Sequence, residues 1–384
     1  MKTKTIYLDY AAATPVDKTV LAAMLPYFSD KFYNPSANYL AAHEVSEDLK
    51  LARQKVANIL GVRSSEIIFT SGGTEANNLA INGIMSQYPD ANVVVSSTDH
   101  HSILEPASKY DHRLVPVNQK GDIDLIALDE AIDDNTVLVS VMYANNEIGT
   151  ISPVKDIAKM IEAKLRQRKA GKINKLPLLL HTDACQAGAY LDLHISRLGV
   201  DLMTLNGGKI YGPKQSGVLM VKTGVNLAAQ ILGGGQEASR RSGTENVAGC
   251  IGFGTALELV QNRRSLEVLR LTEIRDLFIK KLTNTIDGCV INGSLSRRLP
   301  NNVHVTFPGV DNERLMMELD EVGILCAVGS ACSASSDEPS HVLKAIGLSD
   351  AEAQSSLRFT MGIDTNIKDI DKLIGELKRL VPTK

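Results

Sequence analysis

The sequence has little excess charge of either sign: 41 basic residues face 44 acidic ones, for a net charge of -3. Neither a general nucleic-acid binder nor a membrane-surface protein is implied by that balance, although a local patch remains compatible with it. Long apolar runs are also missing. The lysines of the opening MKTKTIYLDY are not followed by an apolar stretch, so it does not read as a secretory signal. No segment approaches the roughly 18 uninterrupted apolar residues of a membrane span. Cysteine is scarce and odd in number: Cys185, Cys250, Cys289, Cys326 and Cys332. A disulfide framework is not expected from that count, and the spacings match no metal site. Internal repeats and low-complexity linkers are absent. These exclusions point to a soluble cytoplasmic protein whose thiols are either packed hydrophobes or reagents.

What is present is an ordinary globular composition, 44% hydrophobic and 22% charged, in a chain of 384 residues. That length exceeds the reach of one core, so a large domain with a smaller one is expected. Short β-branched runs (91–97, 136–143, 176–183 and 216–222) alternate with helix-length segments (44–60, 75–86 and 154–167). This alternation predicts an α/β domain with a mostly parallel sheet. It is placed at residues 15–258. A helical stretch over 255–282 then leads into strands at NNVHVTFPG and SSLRFTMG, with helices at ERLMMELDEV and IKDIDKLIGELKRLV. Residues 1–14 and 259–384 are assigned to a smaller α+β domain completed by the N-terminal strand. Lys164, Arg166, Arg168, Lys169, Lys172 and Lys175 form a basic run without an acid. A solvated helix end accounts for it, and a docking patch for RNA or an acidic partner is the other reading.

Four segments carry candidate chemistry. In FTSGGTEANN a strand ends at Thr70 and a glycine turn leads into a helix, a place where backbone N–H groups and the helix dipole favour a phosphate. A plain capping turn fits the same residues. In HTDACQAG, Asp183 closes a strand, where open α/β sheets bind ligands. A carboxylate there suits a ring nitrogen, and a helix N-cap is the alternative. Lys209 lies in the glycine-rich NGGKIYGPK turn, as a Schiff-base amine or a surface lysine. Cys332, in GSACSASSDEPSHVL, has small polar neighbours, which predicts an exposed catalytic loop. Cys326, among apolar neighbours, reads as packing, as do Cys185 and Cys250.

Together with YLDYAAATPVD, NPSANYLAAH, TDHHSILEP, YANNEIGT, GGGQE, RSGTENV and SSLRFTMG, these segments resemble cysteine desulfurases of the NifS/IscS type along nearly the whole chain. The resemblance implies the fold type I architecture of pyridoxal-phosphate enzymes, with a seven-stranded sheet. It also implies conversion of L-cysteine to L-alanine, with the sulfur held as a persulfide on Cys332. Lys209 matches the Schiff-base lysine and Asp183 the partner of the pyridine nitrogen. Gln186 and Asn146 match contacts to the phenolic oxygen, and His100 the ring-stacking histidine, a proton relay. Gly73 and Thr74 match the phosphate turn. Thr244 matches a phosphate contact supplied by the second subunit of a homodimer. Arg358, assisted by Asn34, matches the clamp on the substrate carboxylate. The length of the Cys332 loop favours the branch that carries sulfur outward, to an iron–sulfur scaffold or a tRNA-thiolating enzyme. A selenocysteine lyase, or a non-catalytic scaffold, is the competing reading.

The sequence departs from the family pattern at three places. Asn206, Gly207 and Gly208 stand before Lys209 where Ser-Gly-His is usual, so a phosphate contact from residue 208 has no side chain, while Asn206 retains a donor. Ala238 and Ser239 follow Gln236 and Glu237 in place of Arg-Gly. Ile363 replaces an arginine.

Overall fold

The computed structural model describes residues 5–171, 176–329 and 339–381. Cys332, Lys172 and Lys175 lie outside these described residues. The strands are β1 (Ile6–Tyr7), β2 (Ile67–Thr70), β3 (Asn92–Ser96), β4 (Asp111–Val115), β5 (Thr136–Ser140), β6 (Leu179–Asp183), β7 (Leu202–Asn206), β8 (Gly217–Val221), β9 (Val290–Ile291), β10 (Asn302–Thr306), β11 (Ile324–Leu325) and β12 (Ser356–Thr360).

Seven of them form the large sheet, in the order β2-β8-β7-β6-β5-β3-β4. Only β8 runs against its neighbours, antiparallel to β2 and β7. The sheet is covered on both faces, which its residues encode by alternation. Val94, Val139, Leu180, Met203 and Met220 join one apolar core, while Val93, Val95, Leu138, Leu202 and Leu219 join the other. Such strands read as continuous apolar runs because both faces are buried.

The second unit is built on a three-stranded antiparallel sheet, β12-β10-β9. The N-terminal strand β1 pairs with β11, in parallel. The Val247–Thr285 helix is 39 residues long and begins before the expected residue 255. Residue 258, the expected division between domains, falls within it. It packs along the Leu40–Leu60 helix, where a Cβ on Gly254 would come within 3.0 Å of the Ala52 carbonyl oxygen. Close approach of two backbones therefore explains a glycine inside a helix, a position that otherwise costs about 1 kcal/mol.

The basic run is divided. Arg168 is buried on the Thr136 and Asp133 carbonyls and Lys164 pairs with Asp129 at 3.2 Å, whereas Arg166, paired with Glu162, and Lys169 are exposed at the helix end. No helix among the described residues is long and apolar enough to cross a membrane.

Candidate active site

The carboxyl ends of β2, β3, β5, β6 and β7 meet along one edge of the large sheet. The loops that leave them line a pocket. Gly73, Thr74, His100, Asn146, Asp183, Gln186, Asn206, Lys209 and Arg358 all line it. Residues spread over some 290 positions of sequence thus converge, because strands that point the same way place their following loops together.

At one wall lies the start of the Gly73–Met85 helix. Its N-cap, Gly72, has φ 146° and provides no side-chain cap. The first-turn N–H groups are left for another acceptor, and the helix dipole favours an anion. Gly73 admits no side chain: an added Cβ would lie 2.8 Å from Cys185 Sγ. The donor set fits a phosphate.

Asp183, at the end of β6, accepts from Cys185 N at 2.9 Å and from Asn77 Nδ2 at 2.7 Å. His100 caps the next helix, His101–Ala107: its Nδ1 accepts from Ser102 N at 3.1 Å. Burial pushes its pKa down, and the Asp183 charge opposes this. Lys209 follows β7 in a short 3-10 turn, Gly207–Lys209, with Nζ donating to the carbonyls of Ala11 at 2.8 Å and Ala12 at 2.5 Å. Gln186 Nε2 donates to the same Ala11 oxygen at 3.0 Å. The N-terminal segment thereby closes the lysine side of the pocket.

Arg358 comes from β12 in the second unit and is 1% exposed. It donates to Asp9 Oδ1 at 2.7 Å and to the Asn146 carbonyl at 3.0 Å, while its Nε has no hydrogen-bond partner among the described residues. A buried guanidinium that lines the pocket suits a carboxylate ligand.

Two expected residues sit elsewhere in the single chain. Asn34 is exposed and accepts from Ser36 N at 2.9 Å, outside the pocket lining. Thr244 is exposed as well. Cys185, read as a packing residue, lines the pocket beside Asp183, and burial together with that carboxylate pushes its thiol pKa well up. Asn77 and Ser102 also line it unanticipated. Each lies within a motif noted for a neighbouring residue, and no pattern separates a buried polar bridge from an ordinary helix residue. Among the described residues, no group of three or more metal-ligating side chains is placed to hold an ion.

The pocket can be set beside known proteins. The model of the family Aminotransferase class-V matches residues 6–373. The chain belongs to the class-V aminotransferase family. Within it, "Cysteine desulfurase IscS" of Dictyoglomus turgidum is 40% identical, over 98% of this chain and 94% of that protein. Among solved structures, a "NIFS-LIKE PROTEIN" superposes with a TM-score of 0.89 at 30% identity, covering 98% of each chain. Another, described as "SspA in complex with cysteine", superposes with a TM-score of 0.80 at 34% identity, covering 93% of this chain and 99% of that one. This class-V chain therefore has the fold expected from its sequence, a mixed seven-stranded α/β unit with a smaller β-sheet unit.

Proposed function

We propose that the protein is a pyridoxal-phosphate-dependent cysteine desulfurase that converts L-cysteine to L-alanine and keeps the sulfur as a persulfide on Cys332. The observation that carries this reading is the convergence of Lys209, Asp183, His100 and Arg358 on one pocket, beside an uncapped helix N-terminus. The similarity to the cysteine desulfurase IscS and to SspA, solved in complex with cysteine, supports the substrate.

When bound, pyridoxal phosphate supplies an electron sink for bond-breaking at the amino acid. The Gly73 and Thr74 backbone would hold its phosphate, Asp183 its ring nitrogen, Asn146 and Gln186 its phenolic oxygen, and Lys209 its carbonyl carbon. Asn206 would add a donor toward the phosphate, Gly208 only backbone, and Thr244 of a second copy a further contact, which makes the working unit a homodimer. Arg358, with Asn34, would fix the substrate carboxylate by paired, charge-assisted hydrogen bonds. The Lys209 amine would take the proton from the substrate α-carbon. His100 would exchange a proton with the bound substrate. Cys332, as thiolate, would attack the substrate sulfur, forming the S–S bond as the C–S bond breaks. The electron pair of that C–S bond stays with the carbon skeleton, which leaves as L-alanine after protonation.

With the domains divided at residue 258, Arg358 belongs to the smaller unit. We assign the protein to the cytoplasm and its sulfur to a protein acceptor, an iron–sulfur scaffold or a tRNA-thiolating enzyme. The test is alanine formation from L-cysteine with a thiol reductant, for the unaltered protein and for C332A. Alanine from the first and none from the second is expected, with the bound-cofactor colour equal in both. Undiminished turnover by C332A removes Cys332 from the mechanism.

A further inference from the structure

His100 is the one titratable ring among the pocket residues named above, and its hydrogen bonds determine which nitrogen carries its proton. The argument starts at Asp183, whose carboxylate can only accept. Asn77 is 1% exposed and lies 2.7 Å from Asp183 Oδ2, so the atom facing the carboxylate is the amide nitrogen. The same Nδ2 lies 2.8 Å from Ser102 Oγ. An amide nitrogen only donates, so Ser102 Oγ accepts there and its own proton must go elsewhere. His100 Nδ1 is 2.8 Å from Ser102 Oγ. It also receives the Ser102 backbone N–H at 3.1 Å, which can do nothing but donate. Two donors therefore converge on Nδ1.

We infer that Asn77 and Ser102 are positioning residues: a one-way hydrogen-bond chain from Asp183 through Asn77 and Ser102 holds His100 neutral, with its proton on Nε2. The charge of Asp183 orients the amide, the amide orients the hydroxyl, and the hydroxyl fills the Nδ1 lone pair. Protonating Nδ1 would set N–H against both Ser102 donors, so the imidazolium is disfavoured. Burial lowers the His100 pKa in the same sense. The other charges that act on the ring are Asp183, which favours the cation, and Lys209, His101 and His341, which oppose it. In the proposed reaction His100 then enters each turnover as an Nε2–H donor and returns to it after each proton exchange. That last consequence rests on the desulfurase reading, whereas the tautomer does not.

The experiment is nuclear magnetic resonance of the histidine rings in isotope-labelled holoenzyme, between roughly pH 5 and 8. The His100 signal is identified by its absence in H100Q. A bare, accepting Nδ1 and a protonated Nε2 are expected in the unaltered protein. In S102A one donor to Nδ1 is lost, so the His100 titration moves up by about half to one pH unit. The acid limb of kcat/KM for L-cysteine moves up with it. S102T, which keeps the hydroxyl, restores both.

A proton on Nδ1 in the unaltered protein overturns the inference without recourse to any variant, so it stays testable if S102A fails to fold. An S102A protein with unchanged ring titration and unchanged acid limb also overturns it. Alanine formation is scored separately. A protein that makes no alanine yet shows the Nε2–H form sinks the desulfurase reading alone; alanine formation with an Nδ1 proton sinks the relay alone.

Discussion

A single methyl group at residue 73 tests whether the helix N-terminus is held where a phosphate needs it. In G73A the new Cβ falls 2.8 Å from Cys185 Sγ, with Asn206 Nδ2 at 3.4 Å and Asn206 Cβ at 3.5 Å. A carbon–sulfur contact that short is repulsive. Gly73 opens the helix just beyond the end of β2, so relief must come from Cys185 or from displacement of the helix start. Overpacking of this kind costs about 1–3 kcal/mol. The unfolding midpoint in urea should fall accordingly. If displacement of the first-turn N–H groups takes about 1.4 to 2.8 kcal/mol from phosphate binding, the Kd for pyridoxal phosphate rises roughly ten- to a hundredfold. C185A removes the obstructing atom, so G73A/C185A should recover at least half of each loss, a coupling of about 0.5–3 kcal/mol. Gly208 is the internal control. A Cβ there meets Asn206 Oδ1 at 3.5 Å and Lys214 Cγ at 3.7 Å, ordinary contacts, so G208A should leave the cofactor Kd within about twofold. Unchanged stability and affinity in G73A, or no recovery in the double variant, would refute the steric reasoning.

Other outcomes follow from the described geometry. R358K keeps the positive charge but loses the fork, and should raise KM for L-cysteine about tenfold or more while the cofactor's visible absorbance is unaltered; an unchanged KM removes Arg358 from substrate binding. Glu237, with a 3% exposed side chain, pairs with Arg53 at 2.6 and 2.7 Å and accepts from Phe69 N at 2.9 Å. E237Q leaves a half-buried cation uncompensated and should cost about 3 kcal/mol in denaturant unfolding, whereas a loss below about 1 kcal/mol marks the pair as no stronger than a surface one. His181 is fully buried between Ser140 Oγ and Thr204 Oγ1, and burial lowers its pKa to about 4 from 6.5. The unfolded chain binds this proton more readily, so the contribution is complete above pH 6.5 and is lost as pH falls through about 4. The loss is on the order of 3 kcal/mol, and H181N should flatten the stability profile in that window. An equally steep profile in H181N assigns the slope to other groups.

The parts of the fold legible in the sequence are those encoded by local pattern. β3, β5, β6 and β8 each fall within a β-branched or leucine-rich run, and the strand-end position of Asp183 follows from where its run stops. The antiparallel direction of β8 has no such signal, because a strand buried on both faces looks the same in either orientation. The Val247–Thr285 helix begins earlier than its apolar periodicity suggests. Gly249, Gly252 and Gly254 lower helix propensity there, and packing against the Leu40–Leu60 helix outweighs it. The site residues named on family resemblance mostly share the pocket, because most of them stand at or just after the carboxyl end of a large-sheet strand. Asn77 and Ser102 were not legible, since their roles exist only once β6 and two helices have brought three polar groups within hydrogen-bond distance. Cys185 reads as a packing residue and is indeed enclosed, and its local sequence carries no sign that it also forms a pocket wall.

The departure at residues 206–208 shows how backbone can stand where a side chain is usual. Without a side chain at 208, the turn before Lys209 gains no fixed point from that position, and a glycine pair would normally be costly to order. Three hydrogen bonds restrain it instead. Asn206 Oδ1 accepts from Gly208 N at 3.0 Å, and the Gly208 carbonyl accepts from Thr14 N at 3.0 Å and Thr14 Oγ1 at 3.1 Å. Asn206 also ends β7, so its cap ties the turn to the sheet, while Thr14 ties it to the N-terminal segment whose Ala11 and Ala12 carbonyls hold the Lys209 amine. The lysine and the turn that bears it are therefore positioned by one strip of chain, residues 11–14. The placement of Lys209 is thus secured without a side chain at residue 208.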